Sequence, residues 1–561
     1  MRSQFFATSV ICAGLLFGCA TSDPARIERK EDANALAQRA GAPLFEGMGT
    51  HHHAITTNDP DAQRYFDQGL VIDFAFNHAE SARSFRAAQK LDPNAAMAFW
   101  GEALALGPNI NVTSNGKAVM TDEARFKAFA AIQQAKRLAT DVTKKERDYI
   151  DALSVRYNGD PTTPREPLDT AYMNAMRDLH VKYPADADAA SLFAESIMNT
   201  MPWDYWLDAE NPKPLAAEAI EVLERVIETT PNHPMALHLY IHAVEASSSP
   251  ERAEQAADTL LNLVPRAGHL VHMPAHIYWR VGRYNDASKA NVLAAQVDED
   301  YIAACNAQGF YPALYYPHNI HFLWAASSME GRSELAIQSA RKVADNVALE
   351  MVAAYPGVEF FKTIPLLSLT QFGRWDEILA EPPPPADHEY STAIWHYARA
   401  TAFARTNRVV EAEDEYAKLV PLRQAADVEF LDTIQYPATM LLEIADELVA
   451  GEIALASDDH SKAIEHFERA VKTQDALPYT EPPFWYYPTR HTLGKALIEM
   501  GDAEGAEAVY RRDLELYPRN GWAMFGLIQS LKAQSKDASD IERRFDIAWQ
   551  KADVTLTNST L

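Results

Sequence analysis

The polarity of the chain changes twice near its start and then settles into one rhythm. A basic opening leads into the apolar run of MRSQFFATSVICAGLLFGCATSD, which is shorter than the ~20 residues a membrane span needs and reads as a secretory signal over residues 1–18. Residues up to about 60 are polar and rich in turn formers, and read as a linker. From residue 61 onward apolar positions fall at helical spacing in segment after segment, with short loops between, and no later apolar run approaches ~20 residues. The pattern predicts an all-α chain of many helices, for which the first question is whether they repeat.

They do. Ala506, Tyr510, Asp513 and Pro518 are spaced 4, 3 and 5, with Gly494 twelve residues before Ala506. The same spacing returns at Ser81, Phe85, Ala88 and Pro93, behind Tyr65 and Gly69, and again at Ala253, Ala257, Leu260 and Pro265. Copies that keep only the 4-3 part start at Ala287, Ala336, Ala412 and Ala463. Small residues let two helices approach, the aromatic fills the gap and the proline ends the second helix. The pattern resembles the tetratricopeptide repeat (TPR), a helix-turn-helix unit. That resemblance implies an α-solenoid, a right-handed superhelix whose first helices line a concave groove. It covers most of residues 61–530, loosely between about 105 and 180. The proline-rich EPPPPADHEY divides the array into expected blocks at 61–380 and 390–550.

Charge narrows the partners. Lys and Arg number 51 against 78 Asp and Glu, a formal charge of −27, which repels nucleic-acid phosphates and anionic lipid headgroups. The three cysteines are Cys12 in the signal, Cys19 and Cys305, so no disulfide forms within the mature domain. Leu16-Phe17-Gly18-Cys19 resembles a bacterial lipoprotein processing box, although Phe17 stands where a small residue is usual. The resemblance implies acylation of Cys19, contact with a membrane through that lipid only, and residues 19–60 as anchor and linker. Ala20, by resemblance to proteobacterial lipoproteins, implies sorting to the outer membrane facing the periplasm.

The repeat register, set without reference to histidine, collects histidines on one face. By resemblance to the family, positions 2, 5, 9, 12 and 13 of each repeat face the groove. Taking Ala253 as position 20 puts His238 at 5, His242 at 9 and Glu245 at 12. Taking Ala287 as position 20 puts His269 at 2, His272 at 5 and His276 at 9; taking Ala336 puts His318 at 2 and His321 at 5. Spacings of three and four share a helical face, and packed helices lie ~8–10 Å apart, so these imidazoles can share an ion, with enough donors for two metals. Pro274 either starts a helix after His269 and His272 or kinks one; Pro317 reads as a helix start before His318.

Imidazoles with one carboxylate suit copper, zinc or iron, and the absence of a Cys or Met cluster argues against a Cu(I) carrier. Helical HxxxH and HxxH spacings resemble, in spacing only, the dicopper sites of oxygen-handling proteins. No HExxH, GxSxG, P-loop or dinucleotide fingerprint is present, and Leu239 stands where a zincin would carry its glutamate. The expected function is an exported lipoprotein binding a transition metal in its groove, either for reaction on a small substrate or without turnover. The alternative is a TPR scaffold whose groove holds a partner peptide or protein without metal. His51, His52 and His53 read as a polar lead-in, with folding back as extra ligands the other option. Trp203, Asp204 and Trp206 read as an insertion able to wall a pocket. The tyrosine-rich stretch 301–322 is long enough to cover the groove, and its Cys305 reads as simply buried.

Overall fold

The computed structural model of the protein describes residues 24–561 except 115 and 308, with side chains from residue 32 onward. The signal and Cys19 lie outside the described residues. Helices dominate, each packed on its neighbours in sequence: Pro60–Phe74 on His78–Leu91, Arg165–Lys182 on Ala187–Thr200, Ala503–Leu516 on Gly521–Ala533. Strand structure among the described residues is confined to two short hairpins, at 113–118 and 206–212. No described helix is long and apolar enough to cross a membrane.

The repeat spacing has its physical cause in how aromatic rings are seated. Tyr510 is wedged between Gly494 of its own repeat and Gly526 of the next helix; a methyl on either glycine would come within 2.3 or 2.2 Å of the ring. Phe85 is held the same way between Gly69 and Gly101. Both rings are fully buried. The spacing of small residue and aromatic thus sets the distance between successive helices.

Repetition of that geometry bends the array until its late repeats return to its middle. Gly282 meets the backbone of Pro518, and Trp522 Nε1 donates to Ser328 O at 3.0 Å. Asp553 accepts from the backbone N–H groups of Ser333 and Glu334 at the start of the Ser333–Asn346 helix, at 2.6 and 3.0 Å. Of the seven histidines expected in the concave groove, six are buried. Ile364–Gln371 packs on both Ser333–Asn346 and Glu389–Arg405, while the proline-rich stretch between Ala380 and Glu389 has no buried residue.

The segment expected as a linker differs as well. Tyr65 OH donates to Ala42 O at 2.6 Å, and Thr56 donates to both oxygens of Glu146, its N–H at 2.6 Å and its hydroxyl at 2.7 Å. Glu146 and Thr143 form a reciprocal cap on the Lys144–Ser154 helix, so residues 42–57 are tied to a fixed helix end. His51 and His53 are part of that strap and are not a loose lead-in.

Candidate metal centre

Pro274 kinks the second histidine helix instead of starting a separate one. Gly268–His272 and Pro274–Arg280 are joined by Met273 with helical torsions, φ −50° and ψ −38°. The missing N–H of Pro274 bends the axis but keeps His269, His272 and His276 on one side. Pro234–Val244 supplies His238 and His242, with Glu245 at its end, and Tyr316–Met329 supplies His318 from its first turn.

Two triangles of imidazoles result. Ring centroids of His238, His242 and His269 are separated by 4.9, 4.9 and 6.2 Å. Those of His272, His276 and His318 are separated by 4.8, 4.8 and 5.8 Å. The triangles adjoin, with His242 5.4 Å from His276 and His269 5.8 Å from His272. Within each set the ligating nitrogens lie within 4.8 Å of one another. His318 is partly exposed and the other five rings are at most 3% exposed.

Hydrogen bonds decide which nitrogen of each ring is free, because the partner's chemistry fixes the tautomer. His238 Nδ1 lies 2.6 Å from Phe74 O, which can only accept. His242 Nδ1 donates to Glu245 Oε1 at 2.9 Å and His276 Nδ1 to Glu245 Oε2 at 2.6 Å. His272 Nδ1 donates to Asn291 Oδ1 at 2.7 Å, and that amide is oriented by its own bond from Nδ2 to Ala287 O at 2.9 Å. All four rings are left with an Nε2 lone pair turned inward. His238 Nε2, His242 Nε2 and both nitrogens of His269 have no partner and no exposure to solvent.

Burial and the neighbouring imidazoles hold His238, His269, His272 and His318 well below the ordinary histidine value, so these rings are neutral. Burial also lowers His242, against the opposing pull of Glu245. Burial would raise the Glu245 carboxyl, but His276 and the bonds from both rings outweigh it and hold it ionised. Metal ligation requires neutral imidazoles of this kind.

Sequence reasoning about the site is matched unevenly. His238, His242, His269, His272, His276 and His318 are brought together, and Glu245 sits behind two of them, its oxygens on the Nδ1 side. His321 is not brought in: it stacks on Trp324 at 5.2 Å and lies against Phe360 and Phe361, each at 5.5 Å. On Tyr316–Met329 the residue facing the cluster beside His318 is Phe322, one turn on at i+4, whose ring contacts His272 and His276. The tyrosine-rich stretch does cover the groove, with Tyr315 4.8 Å from His269 and tied by Asn111 Nδ2 at 3.1 Å. Cys305 lies beside Arg83, 3.1 Å away, in a half-buried position.

Three participants had no usable sequence signal. Asn291 lies on the second helix of its repeat, while Tyr479 and Glu481 arrive from a distant loop through the curvature of the array. Tyr479 OH bonds Glu481 and lies 3.5 Å from Glu245 Oε2, and Glu481 Oε2 is 3.4 Å from His276 Nδ1.

A further group joins His51, His53 and His233 around Asp188. His51 and His233 Nε2 lie 3.0 Å from Asp188 Oδ1, and His53 Nδ1 lies 2.6 Å from Oδ2. His233 Nδ1 accepts the N–H of Ala236 at 3.2 Å as a helix cap, so its proton is on Nε2 and points at the carboxylate. That ring donates to Asp188 and is not poised as a metal ligand. The group fastens the N-terminal strap.

Residues 487–520 match the family model described as a tetratricopeptide repeat. The chain is a helical solenoid, and this segment is a repeat of that family. The match begins at Tyr487, position 1 in the register built on Ala506. Among solved structures, the human IFIT1 dimer with PPP-AAAA aligns at 13% identity and TM-score 0.30, covering 87% of this chain and 90% of that one. The P58(IPK) TPR domain aligns at 11% identity and TM-score 0.21, covering 85% and 98%. Likeness at these scores carries nothing about the histidines. No curated protein matches the sequence.

Proposed function

We propose that the protein holds two transition-metal ions in adjacent three-histidine sites, His238/His242/His269 and His272/His276/His318. The observation that carries this is the pair His272 Nε2 and His276 Nε2, 2.9 Å apart, each ring having its Nδ1 proton committed elsewhere. Two lone pairs at that distance repel unless a cation lies beside both. Metal–imidazole bonds of ~2.0–2.1 Å at a right angle place the nitrogens about 2.9 Å apart. A shared proton is the other cation that satisfies this pair, but it does not serve His238, His242 and His269, whose three inward nitrogens face one another without a partner. Leaving such groups unpaired costs ~1–3 kcal/mol each.

An imidazole donor set without thiolate suits copper, zinc or iron. Three protein ligands per ion leave coordination positions for a small molecule, the arrangement of reactive sites rather than closed structural ones. The reading therefore includes a metal-dependent reaction on a small substrate. The chain's own contribution is fixed rings and a dry enclosure: Glu245 orients one ligand of each set, Asn291 and Phe74 O orient two more. A bound metal would supply Lewis acidity or redox chemistry there.

A peptide lying along the histidines is disfavoured, because the rings are enclosed. A partner protein would use other faces of the array, as solenoids of this type commonly do. Export and attachment through an acylated Cys19 at the outer membrane remain part of the proposal and rest on the sequence of residues 1–20.

Titration of metal-free protein with Cu(II) and with Zn(II) tests the central reading. Two equivalents should bind, and His238→Ala and His318→Ala should each remove one. Failure to bind either ion would leave the histidines as hydrogen-bonded interior residues.

A further inference from the structure

The two triangles are enclosed on nearly every side by buried groups. Phe76 lies flat under His242 and His269, with centroids 6.3 and 5.5 Å away; Tyr315 closes the His269 side and Phe322 the His276 side. A recess lined in part by Ala75, Gly268 and Tyr311 lies beside the chain segment that bears His269, but none of the six histidines lines it. Two rings that touch the cluster are nevertheless about half exposed. Trp203, 46% exposed, stands edge-on to His242 at 5.0 Å, and Tyr479, 43% exposed, reaches Glu245.

Trp203 is set in an unusual way. Its φ is +64°, the left-handed region that bulky residues avoid. The turn carrying it is pinned on both sides: Asp204 N–H donates to Met201 O at 3.1 Å, and Trp206 Nε1 donates to Ala243 O at 2.9 Å on the helix that bears His242. Ser248 N–H donates to Ala209 O at 2.7 Å, closing the following hairpin onto the same helix end. A left-handed turn favours glycine, so the tryptophan is held there at a backbone cost. The conformation lays a half-exposed indole against the buried His242 ring.

We infer that Trp203 is the gate of the paired histidine sites: small ligands and metal ions pass its indole to reach His242, and its ring limits their rate of entry and escape. This rests on the two-metal reading above. Tyr479 lacks the same role because its hydroxyl is engaged by Glu481 and lies beside Glu245, behind the ligands and not in front of a free nitrogen.

The test uses the full mature chain loaded with Cu(II), in native form and as Trp203→Gly, Trp203→Phe and Tyr479→Phe. Glycine suits a positive φ, so Trp203→Gly removes the ring without backbone strain, and circular dichroism confirms the fold. Elemental analysis should give unchanged copper in the native protein and both Trp203 variants. Extraction by excess EDTA and the rate of azide binding should rise tenfold or more in Trp203→Gly and change by less than threefold in Trp203→Phe. Equal rates in native protein and Trp203→Gly, at unchanged stoichiometry, would overturn the gate. So would loss of an equivalent in Trp203→Gly, which would make the ring structural, or acceleration in Tyr479→Phe alone, which would move the opening to the 479–481 loop. Absence of copper from the native protein would instead strike at the two-metal reading.

Discussion

Replacing Glu245 by glutamine separates a positioning carboxylate from a ligand. Glu245 accepts two imidazole protons, from His242 at 2.9 Å and His276 at 2.6 Å, one ring from each triangle. Glutamine keeps the shape but offers one acceptor and one donor, so one ring must flip its tautomer or lose its bond. Removing an outer partner of a metal-bound histidine costs 10–100-fold in metal affinity, about 1.4–2.7 kcal/mol. Because the carboxylate serves both triangles, both ions should weaken in Glu245→Gln while two equivalents still bind at saturation. Arg280 is anchored to the backbone carbonyls of Glu245 and Ser247, so the substitution leaves that contact in place. Competition with a chromophoric chelator measures each affinity. Affinities within twofold of the native protein would refute the positioning role. Loss of one whole equivalent would show that Glu245 binds metal directly.

Three further outcomes are expected. The metal-free protein should lose stability on acidification: the folded-state values of His238, His269, His272 and His318 lie below the ordinary 6.5, so the unfolded chain takes up more protons. Their contribution is complete above pH 6.5 and falls by about 1.4 kcal/mol per ring for each pH unit below it until the folded value is reached. Urea midpoints at pH 8, 6.5 and 5.5 check this, and a flat profile would contradict neutral burial. Asp188→Asn should lower stability by several kcal/mol by breaking the three-imidazole fastening of residues 51–53, with metal content unchanged; loss of metal would make that group a third site. His321→Phe should leave both equivalents bound, because His321 packs among Trp324, Phe360 and Phe361; loss of one would place it among the ligands.

The fold was legible because one packing device is written into several of the repeats. A ring such as Tyr510 needs Gly494 and Gly526 beside it, and that need survives in the spacing. Once the register was set, its groove positions collected six of the clustered histidines. The rest depended on sums over many repeats. Small rotations per helix pair decide whether an array ends as an open groove or returns on itself, and no residue pattern encodes the total. So Tyr479 and Glu481 beside His276, and Trp522 on Ser328, were invisible in sequence. His321 went the other way: i+3 and i+4 both share a helical face with His318, and only the packing of Phe322 against His272 shows which was used. The part played by His233 shows only in the structure, where its Nδ1 caps a helix and its Nε2 meets Asp188.

The central claim is tested most directly by an anomalous difference map from crystals of the mature chain, purified without chelator and measured at the absorption edges of copper, zinc and iron. Two peaks are expected, one among His238, His242 and His269 and one among His272, His276 and His318, each ~2.0–2.1 Å from its imidazole nitrogens. No peak within either triangle, in protein whose solution metal content is also nil, would contradict the account.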